Sequence, residues 1–306
     1  MDIKIVIAVN KKDLWFCRIC VASIRYFYPD IVIYLLKDEL NGKFSTKEIE
    51  QHWNVQLIVY PVKKFGWSAA KMHFYCDERF KGQQFLVMDA DIVFAGKLLD
   101  EVFVKEFASE VIVNEEAHKN YKSDWFSKTY YNFETIQTFD PTFEYPGFTF
   151  NCGQLFCKGN FLSKKSVTDY FDFNGHPSWK RPDIFPLVDQ SLFNYLLPAL
   201  ADEGSLHIGK EQYMIWSEDP LRMRDITIPD VLKGKKYPYL VHWAGALRTP
   251  LLSKMTRSDI LMFFEDYYYS NIKHSRMKRA GRKFNPFLMF QLKNVFHKLR
   301  NASSKN

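Results

Sequence analysis

Two aspartates interrupt one of the most apolar stretches of the chain and are its strongest candidates for chemistry. Residues 85–88 form an apolar run that is long enough for a buried strand and too short for a helix. Asp89-Ala90-Asp91 follows, and apolar residues resume at 92–94. Ionised carboxylates withdrawn from water need partners or a metal, and in extended chain these two side chains point to the same face. Two hard oxygen ligands suit Mg²⁺ or Mn²⁺ shared with substrate phosphates. The alternative is a strand-end turn with two solvated acids.

Two segments in the middle of the chain are weaker candidates. Gly153 lies between two apolar strand patterns, where a glycine often marks a close approach of the backbone to a ligand. Asp189 and Gln190 fall in the first turns of a helix predicted over 186–197. A lone aspartate at that position usually serves the helix dipole.

A loop after residue 241 is a further candidate for binding phosphates. His242, Gly245 and Arg248 are spaced by three residues behind a strand predicted over 237–241. The glycine allows the backbone to approach a ligand, and the guanidinium supplies charge-matched donors for a diphosphate. A single histidine at a strand end is nevertheless more often a core or surface residue than a ligand.

Alternating strands and helices over residues 3–95 must position these groups. The apolar patterns predict strands over 3–9, 31–36 and 55–60 and helices over 14–28, 45–51 and 67–79. This alternation predicts a parallel, Rossmann-like half. Neither a Gly-x-Gly-x-x-Gly after the first strand nor a Walker motif is present, which argues against dinucleotide-binding and P-loop proteins. Further on, strands are predicted over 111–113 and around Gly153, and a helix over 160–172.

Composition indicates a globular chain that stays outside the hydrocarbon of a membrane. Of the 306 residues, 47% are hydrophobic and 17% aromatic, and no run of 18 apolar residues occurs. The five cysteines are odd in number and lie mostly in apolar contexts, which indicates reduced, intracellular usage. Residues 121–150 are crowded with aromatic side chains that follow no period. These side chains either pack an irregular excursion or form an aromatic platform for acceptor sugars.

The positive charge of the chain is concentrated at its C-terminal end. Residues 273–306 hold ten of the 42 basic side chains and no acidic one, so residues 1–272 carry 32 basic and 35 acidic groups. Within this tail, Leu288, Leu292, Val295 and Leu299 share one helical face. A basic amphipathic helix of this kind fits an anionic membrane surface. It alternatively packs on the slightly acidic body. RNA binding is less favoured, because no nucleic-acid module accompanies the charge.

Six segments, taken in chain order, resemble glycosyltransferase family 8. Members of that family are retaining enzymes with a GT-A fold, and they include glycogenin and bacterial lipopolysaccharide galactosyl- and glucosyltransferases. The likeness covers about residues 1–250 and rests on residues 5–10, 68–72, 88–92, 150–153, 189–194 and 242–248. Each segment alone is weakly specific, and the six together, in order and at family-like spacing, are fairly specific. The resemblance implies a GT-A fold: an α/β protein with a Rossmann-like mixed sheet, an aromatic-rich acceptor side and, here, a basic helical tail.

The resemblance also implies roles for individual residues. Asp89, Asp91 and His242 would bind Mn²⁺ (or Mg²⁺), which holds the diphosphate of a nucleotide sugar. Lys71 and Arg248 would contact the donor phosphates or the sugar. The remaining residues would surround the donor: Ala8 and Asn10 at the base, Ala90 and Gly245 along the diphosphate, and Asn151, Asp189 and Gln190 around the transferred hexose, with Gln190 on its reactive β face.

The late motif and the first loop depart from the family pattern. The late motif usually reads His-x-x-Gly-x-x-Lys-Pro-Trp, whereas Arg248 replaces the lysine and Pro250 comes one place late. Asn10 stands nearest to an aspartate that the family often has in its first loop. Arginine still suits a phosphate, so the metal–diphosphate chemistry survives both changes. A preference for uracil is less firmly implied.

The predicted function is therefore metal-dependent transfer of a hexose from a nucleotide sugar, UDP-linked, to a glycan or lipid-linked hydroxyl, with retention, in surface polysaccharide synthesis. The predicted organisation is a nucleotide-sugar half over 1–100, an acceptor-side half of the same domain over 101–272 and a tail over 273–306. The tail predicts a peripheral location on the inner, cytoplasmic face of a membrane. A sugar nucleotidyltransferase and a non-catalytic glycan-binding protein on a transferase scaffold are the alternatives.

Overall fold

A central mixed β-sheet organises the protein. The computed structural model describes residues 3–66, 68–175, 178–224, 226–234, 239–245, 251–274 and 276–281. The strands are β1 Lys4–Asn10, β2 Ile33–Asp38, β3 Val55–Ile58, β4 Gln84–Asp89, β5 Ile92–Phe94, β6 Val111–Glu116, β7 Thr149–Phe150, β8 Gln154–Lys158, β9 Ile208–Glu211, β10 Met214–Trp216 and β11 Leu240–His242. The large sheet has the order β3-β2-β1-β4-β8-β6-β7, with β9 beside β6, and β10-β11-β5 form a small second sheet.

The direction of the strands changes in the middle of the large sheet. Strands β1, β2, β3 and β4 run parallel to one another, and β8 pairs antiparallel with both β4 and β6. Strand β6 therefore points the same way as β4. The carboxyl ends of β1, β2, β4 and β6 consequently lie along one edge, where α/β folds place their ligands.

Helices cover both faces of the sheet. They are α1 Leu14–Phe27, α2 Lys47–Trp53, α3 Ala69–Tyr75, α4 Val102–Lys105, α5 Asp124–Thr129, α6 Phe133–Phe139, α7 Lys164–Val167, α8 Asp189–Asp202, α9 Pro220–Arg224, α10 Ile228–Lys233 and α11 Ser258–Ser270. Successive side chains of β1 point to opposite faces: Ile5 and Ile7 join the core beneath α1 and α11, and Val6 joins the core beneath α3 and α8. Burial on both faces explains why these strands are apolar throughout rather than alternating.

Most predicted elements are confirmed, and the helix predicted over 160–172 is wrong. Only Lys164–Val167 is helical there. The chain then turns into a bridge between Phe171 and Trp179, and the Lys180 amide donates to the Tyr170 carbonyl over 2.9 Å. These bonds occupy backbone groups that a longer helix would need. Helices α5 and α6 form inside the aromatic stretch, and α11 was not predicted at all.

Helix α3 carries a neutral histidine on the face opposite Lys71. The His73 ring contacts four aromatic rings at centroid distances of 5.0 to 5.7 Å, namely Tyr60, Phe65, Phe171 and Phe173. The pKa of His73 is lowered to about 4, chiefly by burial and also by the charge of Lys164, against the opposing charge of Asp77. The charged imidazolium is disfavoured because this surrounding is largely apolar.

The first part of the basic tail packs on the body. Residues 276–281 are helical, Lys278 Nζ lies 3.0 Å from Glu48 Oε2, and Arg279 pairs with Glu265 and Asp266. This supports the packed alternative for these residues. Residues 282–306, which contain the predicted amphipathic face, lie outside the described part of the chain. None of the described helices is both long and apolar enough to span a membrane. All five cysteines are buried and form no disulfide with one another.

Candidate active site

A cavity of about 1050 Å³ opens at the carboxyl edge of the sheet. Every predicted site residue within the described part of the chain lines it: Ala8, Asn10, Lys71, Asp89, Ala90, Asp91, Asn151, Asp189, Gln190, His242 and Gly245. Arg248, the remaining one, lies outside the described residues. Segments separated by more than 200 residues are thus brought to one place. Strands β1, β2 and β4 end at one edge of the large sheet, and β11 of the second sheet is placed beside β4 because it pairs with β5.

Asp89, Asp91 and His242 converge on one side of this cavity. Each offers one ligand atom, and the three atoms lie within 4.8 Å of one another. Asp89 ends β4, a turn at Ala90 and Asp91 leads into β5, and β5 pairs antiparallel with β11 so that Ile92 faces His242. The two carboxylates were expected to share a face of extended chain. They converge instead through a tight turn, because β4 and β5 belong to different sheets.

The three residues fit a divalent cation. The His242 side chain is 2% exposed, and within the described part of the chain neither ring nitrogen makes a hydrogen bond. Its Nε2 atom lies 3.3 Å from Asp91 Oδ1, and its ring stacks on Trp216. Leaving a buried polar nitrogen without a partner costs free energy, which a coordinated ion would recover. Carboxylate oxygens and imidazole nitrogen together are ligands that divalent first-row metals accept.

Lys71 links the aspartate of β4 to the aspartate of α8. Its ammonium lies 3.0 Å from Asp89 Oδ1 and 3.1 Å from Asp189 Oδ2, and it donates to the Cys152 carbonyl over 2.8 Å. Burial alone would lower the pKa of Lys71, but the carboxylates of Asp189 and Asp89 outweigh it and raise the pKa above the usual value. Lys71 therefore stays charged and fixes both acids in the cavity wall.

This crowding shifts the pKa of Asp89. The pKa is raised to about 6, because burial and the charges of Asp91 and Asp189 together outweigh the opposing charges of Lys71 and His242. Like charges disfavour a second ionised carboxylate nearby, whereas a cation favours it. A bound divalent ion would favour ionised Asp89 in the same way.

Gln190 and Asn151 are held by the loop that links β7 and β8. Gln190 Oε1 accepts from the Cys152 amide over 2.8 Å, and its Nε2 donates to the Phe150 carbonyl over 3.2 Å. Asn151 Oδ1 accepts from the Gly153 amide over 2.9 Å. Both side chains line the cavity with their orientations fixed by backbone groups.

Two residues with unusual backbone angles place Asp189. Val188 has φ +47° and ψ −114°, and Ser68 has φ +60°. The Ser68 hydroxyl donates to Asp189 Oδ1 over 2.6 Å, and Val188 immediately precedes Asp189 at the start of α8. Positive φ is a genuine outlier for a β-branched residue, and such strain clusters at functional sites.

Sequence reasoning missed several residues of the cavity wall. Asp38 ends β2 in register with Asn10 of β1. Its place at the carboxyl end of a predicted parallel strand, where α/β folds bind ligands, is a signal that could have identified it. Lys128 of α5 also lines the cavity, and no signal in the sequence marked it. Trp125 of the same helix lines the cavity as well, and it belongs to the aromatic stretch for which an acceptor platform was one of the two interpretations. Trp216 was missed because its strand contains only three residues.

Comparison with known proteins identifies the fold. No protein-family model matches the chain, and no curated protein matches it in sequence. The bifunctional glycosyltransferase WbbM is 14% identical over 92% of this chain and 51% of its own, with a TM-score of 0.54, so the chain spans about half of WbbM. The galactosyltransferase LgtC, solved with donor and acceptor sugar analogues, is 11% identical over 87% of this chain and 95% of its own, with a TM-score of 0.51. The predicted GT-A fold is thereby confirmed, and the resemblance to family 8 in particular stays a prediction.

Proposed function

We propose that the protein is a glycosyltransferase that moves a hexose from a UDP-linked donor to a hydroxyl of a glycan or glycolipid, with a divalent metal. The observation that carries the proposal is the convergence of Asp89, Asp91 and His242, whose ligand atoms lie within 4.8 Å in the wall of a large cavity. A GT-A fold without these ligands would support a glycan-binding protein equally well, because fold alone does not decide function.

The described residues suggest a division of labour. A divalent cation held by Asp89, Asp91 and His242 would stabilise negative charge on the departing diphosphate. Lys71 keeps two of the surrounding carboxylates oriented through its ion pairs at 3.0 and 3.1 Å. Asn10, at the end of β1, would contact the base. Asp189 and Asn151 would hold hydroxyl groups of the transferred hexose, and Arg248 would contact the phosphates.

We favour retention by front-face attack. Gln190 is a neutral carboxamide bound to backbone groups of residues 150 and 152, and a carboxamide is a poor nucleophile. A covalent intermediate on Gln190 is therefore disfavoured. The acceptor hydroxyl would approach the face from which the diphosphate departs and would pass its proton to the departing diphosphate oxygen, and Gln190 would shield the reacting carbon. NMR analysis of the product decides the point, because an inverted anomer contradicts this mechanism.

Calorimetric titration of UDP tests the donor site. UDP should bind the wild type with Mn²⁺, bind much more weakly with EDTA, and lose its metal dependence in Asp91→Asn, which removes one ligand charge. Loss of such an electrostatic contact is worth a few kcal/mol, or on the order of hundredfold in affinity or rate. A panel of UDP-hexoses, followed by release of UDP, then identifies the sugar. Metal-independent binding in both proteins would contradict the proposed metal site.

The alternatives make different predictions in the same assays. A sugar nucleotidyltransferase would form a nucleotide sugar from a sugar 1-phosphate and a nucleoside triphosphate, with release of pyrophosphate. A non-catalytic glycan-binding protein would bind oligosaccharides without releasing UDP from any donor. A nucleotidyltransferase is not expected, because it would ordinarily show a glycine-rich loop near the N-terminus and the sequence has none there. A non-catalytic protein is not expected, because the set of Asp89, Asp91 and His242 is intact.

The tail supports a lipid-linked acceptor in surface polysaccharide synthesis at the inner face of a membrane. Because Lys278 and Arg279 are engaged by acids of the body, the membrane contact is assigned to residues 282–306. Truncation after residue 281 should abolish sedimentation with vesicles containing phosphatidylglycerol and leave hydrolysis of the soluble donor unchanged. Sedimentation equal to that of the full chain would refute the membrane role without affecting the donor site.

A further inference from the structure

An exposed tryptophan lines the cavity on the side away from β1 and β2. Trp125 is 56% exposed, although most aromatic residues of the surrounding segment, such as Phe126 and Tyr131, are buried. Lys128 and Thr129, from the same helix, line the cavity beside it. A large aromatic face left exposed at the wall of a cavity indicates a ligand with an apolar surface of matching size.

A network beneath Trp125 fixes its ring. The His118 ring packs on Trp125 with a centroid distance of 5.0 Å, and His118 Nε2 lies 3.1 Å from the Tyr130 hydroxyl. That hydroxyl donates to Glu116 Oε2 over 2.5 Å at the end of β6. The indole is therefore supported by β6 through two further side chains. Such preorganisation lowers the entropic cost of binding a ligand on its open face.

The position of α5 in the fold separates Trp125 from the predicted base site. Helix α5 follows β6, whereas Asn10 and Asp38 end β1 and β2. In the large sheet, β4 with the proposed metal ligand Asp89 lies between β1 and β6. Strand β6 is two strands from β4, or roughly 10 Å. A donor whose base lies at β1 and β2 and whose diphosphate lies at β4 would leave the α5 wall to the acceptor.

We propose that Trp125 is the stacking platform for a pyranose ring of the acceptor glycan, an assignment that rests on the proposed glycosyl transfer. The C–H groups on one face of a pyranose carry partial positive charge and match the negative face of the indole. Lys128 offers hydrogen-bond donors for hydroxyl groups at the rim of that ring, and Thr129 Oγ1, which itself donates to the Trp125 carbonyl over 2.7 Å, can accept from them. Trp125 determines affinity for the acceptor and takes no part in holding the nucleotide.

Two substitutions that differ in aromatic character test the proposal. Trp125→Leu keeps an apolar side chain and removes the aromatic face, whereas Trp125→Tyr keeps a flat ring. The full-length proteins are assayed with the UDP-hexose that the wild type hydrolyses and with a panel of p-nitrophenyl gluco- and galactopyranosides of both anomers as acceptors. We expect the acceptor KM of Trp125→Leu to rise about tenfold or more and that of Trp125→Tyr to stay within about threefold. Hydrolysis of the donor and the Kd of UDP should change by less than about twofold in both.

Each other outcome overturns the assignment. An unchanged acceptor KM in Trp125→Leu, or no wild-type transfer to any glycoside of the panel, removes Trp125 from the acceptor site. A weaker Kd for UDP with an unchanged acceptor KM places the nucleobase there instead. Failure of the wild type to bind UDP or hydrolyse any donor would instead refute the proposed function itself, which makes the two failures distinguishable.

Discussion

Gly153 is the residue whose substitution tests the candidate metal site without altering any ligand. It lies between Asn151 and β8, its carbonyl accepts from the Asp89 amide over 2.7 Å, and its amide donates to Asn151. A Cβ atom built at this position would lie 2.3 Å from His242 Cε1, 3.1 Å from His242 Nδ1 and 2.6 Å from Asn151 Oδ1. Glycine is therefore required by the close approach of the imidazole.

The displacement that Gly153→Ala would force follows from these distances. Ordinary contact begins near 3.4 Å, so the His242 ring must retreat by about 1 Å. The ring cannot retreat freely, because it is buried and stacked on Trp216. Metal–ligand distances tolerate only about 0.2 Å, so a shift of this size removes His242 from the ligand set. Overpacking should also destabilise the fold by about 1–3 kcal/mol.

Calorimetric titration of Mn²⁺ in the presence of UDP, together with urea unfolding, measures both effects. We expect the affinity for Mn²⁺ to fall by about tenfold to a hundredfold in Gly153→Ala. Gly209→Ala is the control, since its Cβ would meet Ser109 Oγ at 2.9 Å and Ile112 Cγ1 at 3.0 Å, and none of these three residues lines the cavity. Wild-type affinity for Mn²⁺ in a folded Gly153→Ala protein would refute the assignment of His242 as a ligand.

Three further predictions concern stability, measured by urea unfolding. Lys71→Met should destabilise the protein by about 3–5 kcal/mol because it leaves the carboxylates of Asp89 and Asp189 without their cation; adding Asp189→Asn should recover part of the loss, and full independence of the two changes would contradict the pairing. Val188→Gly should be about 1 kcal/mol more stable than Val188→Ala, the reverse of the usual order, because φ +47° with ψ −114° suits glycine alone. His73, with its pKa lowered to about 4 from 6.5, binds a proton in the unfolded chain before it does so in the folded one. Stability should therefore fall by up to about 2–3 kcal/mol as the pH drops from 7 to 4.5, and His73→Phe should remove that component; an identical pH profile in the variant would contradict it.

The elements that the sequence predicted correctly are those whose signal is local. Strands β1, β2 and β4 are continuous apolar runs, and α1 shows one apolar face over four turns, so their patterns survive whatever packs against them. The six segments that resemble family 8 are likewise recognisable in the sequence alone, without knowledge of the tertiary structure. The prediction of a helix over 160–172 was wrong because Phe171 forms a β-bridge with Trp179, and a local sequence pattern does not reveal that pairing.

The sequence by itself determined which residues could do chemistry: Asp89 and Asp91 behind an apolar strand, Asp189 and Gln190 at a helix start, and His242 at a strand end. It did not determine that they meet. The pairing of β5 with β11 places Ile92 opposite His242, and Lys71 pairs with both Asp89 and Asp189, which are 100 positions apart in the chain. The exposure of Trp125 is likewise not determined by the sequence, because the position of α5 decides that Trp125 is exposed and the adjacent Phe126 is buried. Register between distant strands is set by packing of the whole core, and for that reason only the tertiary structure decided the site.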